Sequence, residues 1–139
     1  DRRDARMLEL AEQIGIEFGR DARAKGAHFL LAPGVNIYRA SINGRNFEYF
    51  GEDPFLAGQL AVSYIKGVQS QGVCATVKHF VANNHEWNRN VIDVIVGQRA
   101  LREIYLRGFE IAVKEAEQQG QAMVFEFFHA KGFVMVMKI

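Results

Sequence analysis

Four basic side chains stand in this sequence where donors could converge on a polar ligand. The first lies in Gly44-Arg45-Asn46-Phe47-Glu48, followed closely by Gly51-Glu52-Asp53-Pro54. Two more form Lys78-His79-Phe80, directly after the apolar run Gly72-Val73-Cys74-Ala75-Thr76-Val77. The fourth, Arg89, closes Asn83-Asn84-His85-Glu86-Trp87-Asn88-Arg89. Neither lysine nor histidine is at home in an apolar core, so an apolar strand ending in this pair points to a rim. Lys78 and His79 are therefore expected to aim donors into the mouth of a sheet. Arg45 and Arg89 add planar, permanently charged guanidinium groups. Such a set suits a polyhydroxylated ligand or an anion. The alternative is structural, with Arg45 paired to Glu48 and Arg89 to Asp93 as loop staples. Spacing alone leaves both open.

Other chemistry is less well supported. His85-Glu86-Trp87-Asn88-Arg89 starts like the zinc-protease HExxH but has Arg89 where the second histidine must sit. No metal or cofactor is expected. Among the carboxylates, Asp53 has a competing role as the N-cap of a helix opened by Pro54. Cys74 is the single cysteine, so no internal disulfide forms, and its apolar neighbours read as a core strand. One thiol does not fix the redox compartment.

The elements that must position these groups alternate regularly. Residues 4 to 25 read as a helix with Leu8, Ala11, Gly15, Phe18 and Ala22 on one stripe and Gly26 as its stop. His28 to Ala32 follow as a short strand ended by Pro33-Gly34, then a long polar loop from Val35 to Asp53. A loop of that length inside a domain is usually functional. A second helix runs from Pro54 to Gly72, a second strand over 73–77, and a polar loop around 83–90. A third helix spans about 98–118, with Leu101, Ile104, Tyr105, Ala112 and Ala116 on its buried stripe. Residues 122 to 128 read as a third strand. This order predicts an α/β domain with a parallel sheet. An open doubly wound sheet and a piece of a (β/α)8 barrel both fit it. In either, the two long loops lie at the C-terminal ends of strands, where active sites sit.

Composition excludes some classes. The net charge of +1 gives no electrostatic case for nucleic acid or an anionic membrane as partner. No apolar run approaches the roughly 18 residues of a membrane span. The chain opens at Asp1-Arg2-Arg3-Asp4 without a signal peptide and closes on the apolar stretch Phe133 to Ile139, so both ends read as cut from a longer protein.

Four segments carry a resemblance. Residues 44–54 resemble the GRNFExFGEDP signature of family 3 glycoside hydrolases, and Lys78 through Arg89 resemble that family's KHFxxNNxExxR. Leu31 to Arg39 are similar to its LxPxxNxxR, and Arg99 to Leu106 to its RxLREIYL helix. The four occur in the family's order across about residues 10–122, which leaves 123–139 as a divergent tail. The resemblance implies a partial (β/α)8 barrel and a retaining β-glucosidase acting on terminal β-D-glucosyl residues. It assigns Arg45, Lys78, His79 and Arg89 to the sugar subsite, with a β-glucoside or oligosaccharide as substrate. The alternative is a non-catalytic carbohydrate-binding or structural remnant of the same barrel.

The same resemblance makes Glu48 and Glu86 structural. Retaining glycosidases need two carboxyl groups about 5 Å apart. The family's nucleophile sits in a Ser-Asp-Trp-type segment expected beyond Ile139, and its acid/base lies further on. No catalytic carboxylate is therefore expected among these residues. The family also has a strand ending in Met-x-Ser-Tyr-Asn where this chain reads Met123-Val124-Phe125-Glu126-Phe127, so the tyrosine hydroxyl is lost. A sheet of three strands cannot close, and the isolated chain is expected to self-associate.

Overall fold

A computed structural model describes residues 2–89, 91–118 and 124–127, with side chains through 115. Helix α1 spans Arg2–Ala24. Asp4 in its first turn and Arg23 in its last complement the helix dipole. It ends at Gly26, whose φ of +75° suits a left-handed cap. Strand β1 is formally only Phe29–Leu30, shorter than the expected 28–32. Its pairing nevertheless continues along the neighbouring strand, with Thr76 N donating to Ala32 O and Lys78 N to Pro33 O.

Helix α2 spans Pro54–Ser70. Asp53 caps it as expected, its Oδ1 accepting from Phe55 N at 2.7 Å and Leu56 N at 2.9 Å. Its core face carries Ala61, Ile65 and Val68, all fully buried. Burying side chains such as Ile65 and Val68 contributes about 1.5–3 kcal/mol each. Strand β2 is Cys74–Phe80, longer than the expected 73–77 because the β1 loop keeps pairing with it as far as Lys78. Cys74, expected in the core, is half-buried at the start of β2 beside the short β1.

The expected third helix is interrupted. A three-residue α3 (Gln98–Ala100) runs into a π turn over Leu101–Tyr105, and α4 follows as Arg107–Gln118. Leu106 N donating to Leu101 O at 2.8 Å marks the wide turn. One extra residue in a turn advances the helix face by about a quarter revolution. Ile104 is therefore exposed although the 3.6-residue stripe buries it, while Phe109 and Ile111 join Tyr105 and Ala112 inside.

Strand β3 is Val124–Phe127, within the expected third strand; the rest of that strand and the apolar tail lie outside the described residues. The sheet is parallel in the order β1-β2-β3. Helix α2 packs against α1 on one side and α4 on the other, so the helices form one layer. Sequential parallel strands backed by a single helical layer make an arc of a (β/α)8 barrel rather than a doubly wound sheet. The α1–α2 crossing depends on two glycines: a Cβ at Gly67 would lie 2.1 Å from Glu12 O, and one at Gly15 would lie 2.2 Å from Tyr64 O.

Candidate functional site

The loops after β1 and β2 meet at the C-terminal end of the strands. The β1 loop is neither structureless nor wholly solvated, as its polar sequence implies. Val35, Asn36, Ile37, Asn43 and Tyr49 are buried, and a 3-10 turn forms over Asn46–Glu48. Gly34 forms parallel bridges with both Tyr49 and Lys78, which brings the GRNFE segment against β2. Glycine is required there, because a Cβ would lie 2.7 Å from Tyr49 Cδ1 and 2.9 Å from Glu48 O.

Glu48 is the first node of the site. One carboxylate oxygen accepts from Arg45 Nε, and the other lies 2.7 Å from Lys78 Nζ. Side-chain exposures of 12% for Lys78 and 17% for Glu48 make this a largely desolvated pair. Burial favours the neutral acid, but the hydrogen bonds from Arg45 and Lys78 more than offset it and hold the carboxyl below its ordinary range. Burial likewise opposes the Arg45 charge, and the Glu48 hydrogen bond together with the attraction of Glu48 and its neighbours outweighs it.

Tyr49 is the second node. Its hydroxyl lies 3.1 Å from His79 Nδ1, and their rings meet edge to face. The same hydroxyl accepts from Asn83 Nδ2 at 3.3 Å. Asn83 Nδ2 also donates to Glu86 Oε1 at 3.0 Å, and Glu86 Oε2 pairs with Arg89 Nη1 at 3.0 Å. Burial and the nearby guanidinium of Arg45 push the His79 imidazole down to about 3, so the ring is neutral. Desolvation raises the Tyr49 phenol.

Two expectations need correction. Arg89 pairs with Glu86, not Asp93, because the turn from Glu86 to Arg89 stacks the two side chains three residues apart. His79 does not stand at an open rim. The strand runs on through Phe80, and His79 is fully enclosed by Asn36, Tyr49 and its neighbours. Lys78, Arg45 and Arg89 keep partial exposure. Glu48 and Glu86 each hold an arginine, as anticipated.

Asn36, Tyr49 and Asn83 were given no role by the sequence. Asn36 Nδ2 donates to His79 O at 2.9 Å and its Oδ1 accepts from His79 N at 2.8 Å. Its place as the Asn of the LxPxxNxxR-like segment, between the apolar Val35 and Ile37, is the signal that could have exposed it. Arg39 is also engaged, donating to Tyr105 Oη at 3.1 Å.

A pocket of about 350 Å³ opens beside this network, with Glu48 and Lys78 as its only charged lining residues among Leu30, Leu31, Phe47 and Phe50. That volume falls within the roughly 300–1,000 Å³ of small-ligand sites. A larger hollow of about 680 Å³ lies along α1 between Arg3 and Gln13, remote from both loops. The smaller one is the one that borders the Glu48–Lys78 pair. Among the described residues, no group of three or more His, Cys, Asp or Glu side chains could hold a metal ion.

Comparison with known proteins bears on the whole arc. Residues 3–125 match the Glycosyl hydrolase family 3 N terminal domain. Thermostable beta-glucosidase B of Acetivibrio thermocellus is 56% identical over 108 residues, which cover 78% of this chain and 14% of that protein. β-Glucosidase 3B of Thermotoga neapolitana, solved with α-D-glucose, is 60% identical with a TM-score of 0.77 over 79% of this chain and 15% of its own. The β-glucosidase of Kluyveromyces marxianus superposes with a TM-score of 0.78 at 41% identity, over 86% of this chain and 14% of its own. This chain thus spans about a seventh of the length of these relatives, and it belongs to glycosyl hydrolase family 3, as part of the N-terminal domain.

Proposed function

We propose that this chain forms the sugar-gripping arc of a retaining β-glucosidase acting on terminal β-D-glucosyl residues. Arg45, Lys78, His79 and Arg89 supply the subsite, and the nucleophile and acid/base come from outside these residues. The observation that carries this reading is the Glu48 node, which gathers Arg45 from the β1 loop and Lys78 from β2 beside one pocket. A carboxylate holding two cations in a desolvated pocket leaves their remaining N–H groups available to hydroxyl oxygens. The solved relative from Thermotoga neapolitana, with α-D-glucose bound, supports a glucoside as the ligand.

Charged donors of this kind act where hydrogen bonds to the sugar strengthen as the oxocarbenium-like transition state forms. The fully buried His79 has a different place from the other three. It sets the floor on which Lys78 stands. Glu48 and Glu86 are positioning groups and do not transfer protons to substrate.

The test uses a full-length chimera in which this segment replaces its counterpart in the Acetivibrio thermocellus enzyme. Lys78→Ala and Arg89→Ala are each expected to lower kcat/KM on an aryl β-glucoside by about 2–4 kcal/mol equivalent. An effect below about threefold for both would overturn the subsite assignment.

A further inference from the structure

Glu48 and Tyr49 are adjacent, and between them they reach all four candidate subsite residues. Glu48 holds Arg45 and Lys78 directly. Tyr49 meets His79 through its hydroxyl and reaches Arg89 through Asn83 and Glu86. The first connection follows from charge. The second starts from a neutral, buried contact between Tyr49 and His79 that charge does not explain.

We propose that Tyr49 is a positioning residue of the sugar subsite, whose hydroxyl shares the Nδ1 proton of His79 with Asn36 and ties that ring to the loop carrying Arg89. The proposal rests on the reading of Arg45, Lys78, His79 and Arg89 as that subsite.

The tautomer follows from the neighbours. His79 backbone N–H must find an acceptor and its carbonyl a donor, and Asn36 supplies both, which orients its amide with Oδ1 toward His79 N. That same Oδ1 lies 3.2 Å from His79 Nδ1. An amide oxygen only accepts, so the contact is favourable only when Nδ1 carries the proton. Tyr49 Oη, 3.1 Å from Nδ1, then shares that proton as an acceptor and also receives Asn83 Nδ2. Its own hydrogen goes to Asn83 O at 3.4 Å. Every polar atom of the Asn36–His79–Tyr49 cluster facing Nδ1 is thereby used. The neutral state of the ring leaves Nε2 as the unprotonated nitrogen.

The approach of Tyr49 to His79 is built into the backbone. Gly34 lets the Tyr49 ring lie against the β1 loop where any side chain would collide with it. Replacing Tyr49 by phenylalanine keeps the ring and its edge-to-face packing but removes the hydroxyl. Nδ1–H would keep Asn36 as its only acceptor, and Asn83 would lose the partner that aligns it toward Glu86. Arg89 would then be held by a carboxylate with one fewer constraint.

The experiment compares Tyr49→Phe, Asn83→Ala and Lys78→Ala in the same chimera, reading kcat/KM and the ¹⁵N spectrum of the His79 imidazole. Tyr49→Phe is expected to lower kcat/KM about tenfold, the scale of one lost buried hydrogen bond. The Nδ1–H pattern of His79, still required by Asn36, is expected to persist with its Nδ1 signal shifted by the loss of the second acceptor. Asn83→Ala, which leaves the Tyr49 ring in place, is expected to lower kcat/KM similarly and provides the comparison if Tyr49→Phe does not fold. Kinetics within twofold and an unchanged imidazole spectrum, alongside a damaged Lys78→Ala, would overturn the role of Tyr49 alone. If Lys78→Ala is also without effect, the subsite reading fails and the proposal falls with it.

Discussion

Lys78 Nζ lies 2.7 Å from Glu48 Oε2, joining the end of β2 to the 3-10 turn of the β1 loop. Arg45 occupies the other oxygen, so one carboxylate neutralises part of two cations in a largely buried place. Without it, Arg45 and Lys78 would be two like charges with no carboxylate between them. The pair therefore makes the donor cluster affordable in free-energy terms as well as geometrically ordered.

Glu48→Gln is expected to destabilise the fold by about 1–3 kcal/mol at neutral pH, since it leaves Arg45 and Lys78 imperfectly paired. The folded carboxyl titrates below its ordinary value of 4.5, so its contribution is complete above that pH and fades as pH falls through the lower folded value. Thermal melts of the chimera with and without Glu48→Gln, taken from pH 7 down to pH 3, should therefore converge at the acid end. A gap that stays constant across the range would refute the ion-pair account.

His79 predicts a second acid effect with a different window. Its imidazole is pushed from 6.5 down to about 3, by burial first and then by the charges of Arg45 and Lys78. The unfolded chain takes up a proton below about pH 6.5 while the folded one resists until about 3. Stability is therefore flat above 6.5 on this account and falls as pH drops toward 3. His79→Gln should flatten the melting temperature between pH 6.5 and 4.5 even where it lowers it at pH 7. An unaltered slope would show that another group carries the acid sensitivity.

Much of this was legible in the sequence, and the misses share a cause. The Asp53-Pro54 helix start and the parallel α/β order depend on local signals, capping and periodicity, which a sequence displays. Glu48 holding Arg45 is local too, three residues apart. The Lys78–Glu48 pair and the Asn36–His79–Tyr49 cluster join segments far apart in the chain, and no spacing rule reports them. The enclosure of His79 was missed for the same reason: β2 extends only because the β1 loop pairs with it. The π turn at Leu101–Tyr105 was hidden because a single extra residue leaves the composition of the helix unchanged.

The α1–α2 crossing offers a test of packing that does not involve the pocket. A Cβ at Gly67 would lie 2.1 Å from Glu12 O and 2.8 Å from Ile16 N, both backbone atoms that cannot swing aside. Gly67→Ala would gain about 1 kcal/mol in helix propensity, but the helices must separate, at a cost of several kcal/mol. We expect a net loss of about 1–3 kcal/mol, measured as a lower denaturation midpoint of the chimera. A neutral or stabilised variant would mean that the helices cross less closely than this.

The last prediction concerns the 139 residues alone. Helix α1 turns Met7, Leu10, Ile14 and Phe18 outward, each more than 40% exposed. At the free edge of β1, Phe29 and Leu31 are about half exposed. A hydrophobic hollow of about 240 Å³ between Met7, Ile14, Phe50 and Leu60 lies open beside them. An unpaired parallel edge flanked by apolar side chains is a template for another chain. In a closed barrel a preceding strand and helix would cover both features. We therefore expect the isolated chain to elute as soluble aggregate or oligomer in size-exclusion chromatography, with a broad, non-cooperative melt. A single monomer peak with a sharp transition would show that the arc closes its own edges, and the prediction would be wrong.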